Sequence, residues 1–580
     1  MEELLSGNEA IARGAYESGI HIATAYPGTP STEILENISR YKEIYCEWST
    51  NEKVALEVAG GGSFAGARVI VAMKHVGLNV AADPLFSLSY IGATGGFVIV
   101  TADDPGMHSS QNEQDNRHYG RSAKIPVLEP SDSQEAKDFV KIAIEISEKY
   151  DTPVLLRITT RIAHSKSKVT ILDREEVPLK EYKKDFKKRV ILPANARLRH
   201  IAVEKRLQDI KEFADSFEYN RIEEGAGDFG IIASGISYQY AKEAFPDAPI
   251  LKIALSYPLP EKMIRNFTGR YKNIYIIEEN DPFIENQIKA MGIDNIHGKD
   301  TIPAILELNQ YIVQSSILKE EKDIPFKTDV NIPQRPPALC PGCPHTSVFY
   351  ALSKYKCIVT GDIGCYTLGA LPPLNAMDTC VDMGASITSA FGMEIAFRKQ
   401  NDNRKIVAVI GDSTFFHSGI TGLIDMVYNK SKGNVIILDN RITAMTGHQH
   451  NPGTGKTLMG EDTNEINIEA LVKSLGVKNV SVINNYNLKE TLSVIKREID
   501  RDELSVIITT KPCALLKTNP KLGLYVVDED KCTGCKMCIQ LGCPAISFID
   551  NKSVIEPTMC FGCSICAQIC PTDAISIEGE

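Results

Sequence analysis

The last 50 residues carry eight cysteines in a repeated spacing, and that spacing limits the fold more than any other feature of the chain. Cys532, Cys535 and Cys538 recur as Cys560, Cys563 and Cys566 at a constant offset of 28, and each triplet is followed by a Cys-Pro, at Cys543 and at Cys570. Paired C-x2-C thiols would also suit tetrahedral zinc. Triplets closed by Cys-Pro, twice over, point instead to two [4Fe–4S] clusters, and the repeat implies two metal sites related by pseudo-symmetry. Thiolate ligation, not disulfide pairing, is what such a pattern means in a reducing cytoplasm.

The second run, C-x2-C-x2-C-x3-C-P, resembles that of bacterial ferredoxins, in which the fourth cysteine of one run serves the other cluster. The resemblance implies one cluster on Cys532, Cys535, Cys538 and Cys570, and another on Cys560, Cys563, Cys566 and Cys543. The first run departs from the pattern, because four residues and not three separate Cys538 from Cys543. The extra residue adds slack to the turn before Cys543.

At 580 residues the chain is too long for one core, and about three or four domains are expected. Its 43% hydrophobic and 24% charged residues are those of a soluble globular protein. No apolar run approaches the ~18 residues of a membrane span, and MEELLSGNEA lacks the basic and apolar regions of a signal peptide. A cytoplasmic protein with no membrane partner is expected. A net charge of −11 argues against nucleic acid, and the basic run KEYKKDFKKR (180–189) reads as a solvated linker.

Strand-like runs VIVAM, FVIVTA and PVLLRI alternate with Ala- and Gly-rich helical stretches over residues 1–165, the rhythm of a doubly wound parallel sheet. A charged stretch follows. GIIASG, PILKIAL and NIYIIEEN then mark a small α/β domain over 225–318. A charged, proline-containing boundary leads to a third α/β pattern over 335–518, and the cysteine module occupies 520–580.

In the third pattern, VAVIGDS runs a strand into Gly411-Asp412-Ser413, and a second strand ends at Asp439-Asn440. That puts a carboxylate and an amide at the C-terminal ends of neighbouring parallel strands, where such sheets bind ligands. Asp412 and Asn440 offer the hard oxygens that Mg²⁺ on a diphosphate requires, and Gly411 lets backbone N–H groups approach phosphate. A plain strand–turn–helix with an N-cap Asp is the bland alternative. Nearby GTGKT lacks the first glycine of a P-loop.

The G-D-S…D-N pattern resembles the GDG…N signature of thiamine diphosphate enzymes, with Ser413 in place of the last glycine. The resemblance implies Asp412, Asn440 and the Ile442 carbonyl as Mg²⁺ ligands. Tyr26-Pro27-Gly28-Thr29-Pro30, NEKVALEVAGGGSFAG and ADDPGMHSSQNEQDNRHYG resemble 2-oxoacid:ferredoxin oxidoreductases, most of all the α subunits of those acting on indolepyruvate. The fold this implies is α/β: two doubly wound thiamine-diphosphate-binding domains, a small α/β middle domain and a C-terminal double-cluster ferredoxin-like α+β domain. By the same resemblance Glu52 is the carboxylate that promotes the imino tautomer of the aminopyrimidine, and Thr29 contacts the oxo acid.

Cys340 and Cys343, with Cys365 and Cys513, match positions that hold a third, proximal cluster in related oxidoreductases. The alternative is a C-P-G-C turn that serves packing alone. The family further implies an enzyme that oxidatively decarboxylates arylpyruvates with coenzyme A, passing electrons to ferredoxin, and that works with a separate β subunit in an (αβ)₂ heteromer. Pyruvate or another aliphatic 2-oxoacid as substrate, and an inactive electron-transfer scaffold, are the rival readings. Any of His75, His108, His345, His417 and His448 is a possible partner for the substrate carboxylate, though a structural role suits each as well.

Overall fold

The computed structural model describes residues 1–320, 330–333 and 336–579, and the chain divides into two compact units at residue 329. Part of the proline-containing boundary therefore lies outside the described residues. Among the described residues no helix is long and apolar enough to cross a membrane.

The first unit is built on a seven-stranded sheet. Its spatial order is Leu255–Tyr257, Val127–Leu128, Val154–Thr159, Phe97–Asp103, Val69–Lys74, Ile22–Ala25 and Tyr45–Trp48. All neighbours are parallel except the first pair. The strands Val69–Lys74, Phe97–Asp103 and Val154–Thr159 are buried along their whole length, which is why they read as continuous apolar runs and not as alternating ones. The helix Glu52–Phe64 lies against this sheet. A Cβ on its Gly62 would stand 2.7 Å from Ile22 and 3.1 Å from Val69, so this glycine allows close helix–sheet approach.

A second sheet follows the order Ile296–His297, Ile274–Ile277, Gly230–Ser234, Ile250–Ile253 and Arg221–Glu223, parallel except for the last strand. The strand Leu255–Tyr257, which follows directly from Ile250–Ile253, crosses into the first sheet and pairs with Val127–Leu128.

The charged stretch after residue 165 is not a free linker. Lys166–Thr170 pairs antiparallel with Glu2–Ser6, and the Arg174 guanidinium donates to the carbonyls of Tyr16 and Ile20 at 2.9 and 3.0 Å. The Lys188 ammonium, inside the basic run, reaches Asp151 at 2.7 Å. Arg174 satisfies distant carbonyls and Lys188 pairs with a distant acid, so the charged stretch straps the first domain. Pro193–Ala214 then forms a 22-residue helix.

The second unit holds an all-parallel six-stranded sheet in the order Thr379–Cys380, Ile358–Gly361, Ile406–Gly411, Asn434–Leu438, Ser505–Thr509 and Asn479–Ile483. The cysteine module adds two antiparallel pairs, Tyr525–Val527 with Ile575–Ile577 and Ile546–Ile549 with Lys552–Ile555. Module residues Leu541, Phe561, Ile565 and Ile569 share one hydrophobic core with Phe349, Val409 and Leu438 of the α/β body. Each such side chain contributes roughly 1.5–3 kcal/mol on burial, so the module is docked and not merely tethered. The architecture is α/β with parallel sheets and a C-terminal double-cluster module.

Candidate active site and cluster sites

In the second unit the strands Ile406–Gly411 and Asn434–Leu438 run in parallel with Gly411 opposite Leu438. That register carries Asp412 and Asn440 to the same C-terminal edge. The Asn440 Oδ1 lies 2.7 Å from the Ile442 carbonyl oxygen and 3.2 Å from Asp412 Oδ1. Three acceptor oxygens at such spacing need a proton or a cation among them. Turning the amide would supply two hydrogen bonds. A hard cation serves all three oxygens, because oxygens at right angles around Mg²⁺, bound at about 2.0–2.1 Å, stand about 3 Å apart.

Burial and the neighbouring Asp439 push the Asp412 carboxyl up to about 7, so the pocket calls for positive charge. Asn451, which sequence reasoning passed over, donates its amide to Asp412 Oδ2 at 3.1 Å. Thr443 donates to the Ser413 hydroxyl at 2.8 Å. The helix entered at Asp412 passes through a π turn, Phe415–Gly419, a distortion frequent at functional sites. A Cβ at Gly411 would stand 2.7 Å from the Tyr366 ring, so this strand end has no room for a side chain.

The structure also brings Cys340, Cys343, Cys365 and Cys513 together. Burial pushes the Cys365 thiol up to about 11, with Cys340 and Cys513 adding to the effect. The Cys343 thiol is pushed well up by burial and then by its three neighbours. Bound metal would reverse this, since a coordinated thiol is deprotonated. The Cys513 N–H donates to the Asn440 main-chain carbonyl at 3.0 Å, which joins the backbone of one of these cysteines to that of a residue of the three-oxygen site. His448 Nε2 lies 3.7 Å from Cys513 Sγ.

In the terminal module Cys543, Cys560, Cys563 and Cys566 line one cavity, whose wall also includes Gly342, Cys343 and Thr346. Cys532, Cys535, Cys538 and Cys570 line a second, bounded by module residues alone. Tetrahedral zinc with Zn–S bonds of about 2.3 Å needs sulfurs about 3.8 Å apart. Among the described residues no three of these cysteine sulfurs lie within 4.8 Å of one another.

In the first unit Glu52 is buried at the start of its helix, where Asn51 caps the Val54 N–H at 2.9 Å. Gly77 faces it closely enough that a Cβ there would stand 2.6 Å from Glu52 Oε1. The Thr29 carbonyl accepts from Ser109 Oγ at 3.3 Å. The histidines scatter. His75 and His345 are buried, and burial draws both down to about 4, so neither carries charge at neutral pH. His417 is buried beside the Ser418 hydroxyl, and His108 sits half-exposed beside Glu307.

Residues 13–211 match the family described as "Pyruvate flavodoxin/ferredoxin oxidoreductase, thiamine diP-bdg". Residues 362–509 match "Thiamine pyrophosphate enzyme, C-terminal TPP binding domain", and residues 524–571 match "4Fe-4S dicluster domain". The chain is 45% identical to a protein of Archaeoglobus fulgidus named indolepyruvate oxidoreductase subunit IorA, over 98% of this chain and 97% of that one. Proteins of the same name from Methanothermobacter thermautotrophicus and Pyrococcus abyssi are 42% and 43% identical, over 99% and 100% of this chain and 97% of each of theirs.

Proposed function

The chain belongs to the family of indolepyruvate oxidoreductase subunits IorA, and from that premise we propose that it catalyses the CoA-dependent oxidative decarboxylation of arylpyruvates. It is a ferredoxin-linked 2-oxoacid oxidoreductase that uses thiamine diphosphate and iron–sulfur electron transfer. In the proposed reaction an arylpyruvate, coenzyme A and two oxidised ferredoxins give an aryl-acetyl-CoA, CO₂, a proton and two reduced ferredoxins. Thiamine diphosphate, when bound, supplies the chemistry that cleaves the bond to the carboxylate.

The chain's residues take the following parts. Asp412, Asn440 and the Ile442 carbonyl would hold Mg²⁺, and Gly411 and Ser413 would bound the diphosphate. Glu52 would hold the proton exchanged at the aminopyrimidine of the cofactor, and Thr29 would contact the oxo acid. Cys340, Cys343, Cys365 and Cys513 hold a proximal cluster, and the two module sets hold one [4Fe–4S] cluster each. A separate β subunit completes an (αβ)₂ heteromer. The observation that carries this reading is the Cys513 N–H on the Asn440 carbonyl at 3.0 Å. It joins a site fit for a metal-bound diphosphate to four thiols fit for a cluster, as a cofactor that gives up electrons requires.

Anaerobically reconstituted enzyme, assayed with indolepyruvate, pyruvate and 2-oxoglutarate for CoA-dependent viologen reduction, tests the substrate. Equal or better turnover with pyruvate overturns the arylpyruvate assignment. Activity that survives intact in Glu52→Gln removes Glu52 from its role, and a wild type inert on every 2-oxoacid leaves only an electron-transfer scaffold. About twelve irons per chain are expected for three clusters, against about eight for two.

A further inference from the structure

We propose that Lys74 is the anchor for the carboxylate of the 2-oxoacid substrate, an assignment that rests on the oxidoreductase reading above. Lys74 ends the strand Val69–Lys74 at the C-terminal edge of the first sheet, where doubly wound folds bind ligands. The residue is 8% exposed. The loop that carries Thr29 lies on top of it, since a Cβ at Gly28 would stand 3.1 Å from Lys74 Cβ. The next helix, His75–Val80, holds Gly77 against the Glu52 carboxylate. Lys74 is therefore three residues from the contact with the proposed proton-exchanging acid and directly beneath the loop of the proposed oxo-acid contact.

The ammonium has three protons to place. It donates to the Ser109 carbonyl at 2.5 Å and, more weakly, to Ser109 Oγ at 3.4 Å. Among the described residues no carboxylate oxygen forms an ion pair with it. The nearest acid, Asp104, is engaged by the Ser109 N–H and by the Ser110 and Thr160 hydroxyls. The Asp104 charge reaches the ammonium without forming a contact ion pair and offsets only part of the cost of burying it, and a bound carboxylate removes more of that cost. Burial draws the ammonium down to about 8, which still leaves it protonated at neutral pH. The histidines offered by sequence reasoning are poorer anchors, because neutral His75 beside it brings a hydrogen bond and no charge.

The test compares the reconstituted enzyme with Lys74→Met and Lys74→Arg. For Lys74→Met the KM for the 2-oxoacid is expected to rise about 10- to 100-fold, the loss of one charge-assisted hydrogen bond, with a much smaller change in kcat, and Lys74→Arg recovers part of it. Calorimetric titration with the matching 2-hydroxy acid and with its methyl ester supplies a readout independent of turnover. Lys74→Met weakens the acid and leaves the ester unchanged, and the acid no longer raises its thermal midpoint. A Lys74→Met enzyme that binds the acid as tightly as wild type overturns the assignment alone. A wild type that turns over no 2-oxoacid overturns the functional reading and this assignment together.

Discussion

The two cysteine sets of the terminal module share one repeated spacing and sit in unlike surroundings. The set Cys543, Cys560, Cys563 and Cys566 is inner: its cavity wall includes Gly342 and Cys343 of the α/β body. Tyr486 donates to the Gly342 carbonyl at 2.7 Å, and its ring lies 6.4 Å from that of Phe561. The Gln568 amide fastens the same region by donating to the Tyr486 carbonyl at 2.7 Å. The set Cys532, Cys535, Cys538 and Cys570 is outer, walled by the module alone and with Cys535 exposed. A symmetric sequence thus yields an asymmetric pair. Burial, hydrogen bonding and exposure set cluster potentials, so on the proposed ligand assignment the two sets would hold clusters of different potential, with the inner set the one beside Cys343.

Breaking one ligand in each set gives the largest contrast. Cys560 is buried in the core shared with the α/β body, and metal binding in such a site is part of the folding free energy. Cys560→Ser is expected to lose about four irons and to lower stability on the order of 4 kcal/mol. Cys535→Ser also loses iron, yet the α/β body should unfold within about 0.5 kcal/mol of wild type. Iron analysis together with denaturant melts reads both. Equal destabilisation by the two would erase the distinction between inner and outer sets.

A smaller and more local effect is expected of Gly342→Ala. Gly342 has φ +70°, and a Cβ there would stand 2.4 Å from Phe561 Cβ. A left-handed alanine costs about 1–2 kcal/mol before any clash is counted. Displaced Phe561 carries Cys560 and Cys563 with it, so the reduced-state EPR signal of the inner cluster should change shape while that of the outer cluster does not. Matching changes in both signals would mean that the two sets relax as one body.

The parts of the site that sequence reasoning reached are those whose partners are local or repeated. Asp412 and Asn440 follow from two strand ends and the module cysteines from their spacing, whereas Ile442, Glu52, Thr29 and the set Cys340, Cys343, Cys365 and Cys513 come through the family resemblance. What stayed hidden depends on partners distant in the chain. The cations at 174 and 188 look solvated until their acceptors at Tyr16, Ile20 and Asp151 are known. Lys74 reads as the last residue of an apolar strand, and nothing in VIVAMK tells that a loop from residues 26–30 folds over it. Leu255–Tyr257 joins the first sheet from the middle of the second sheet's sequence, a crossing no periodicity announces. Tyr486 meets partners far off in both directions, Gly342 through its hydroxyl and Gln568 of the module through its carbonyl.

The smallest expected effect concerns the extra residue between Cys538 and Cys543. The first half of the module turns through a short 3-10 segment, Cys538–Leu541, and Gly542 leaves it with φ +65°. The second half runs an α-helix, Ile565–Ile569, straight into Cys570, and its left-handed residue, Ser564, comes before the helix. Gly542 therefore absorbs the fourth spacer residue by reversing the chain just ahead of Cys543. Gly542→Ala keeps the ligand and the spacing but makes that reversal cost about 1 kcal/mol, with a Cβ 2.9 Å from Pro373. Since Cys543 belongs to the inner set, the cost should appear as a lower denaturation midpoint and faster oxygen-driven loss of the inner cluster, with iron content at first unchanged. If the outer cluster is the one to bleach faster, Cys543 serves the wrong set in this assignment, and the inner–outer comparison has to be redrawn around it.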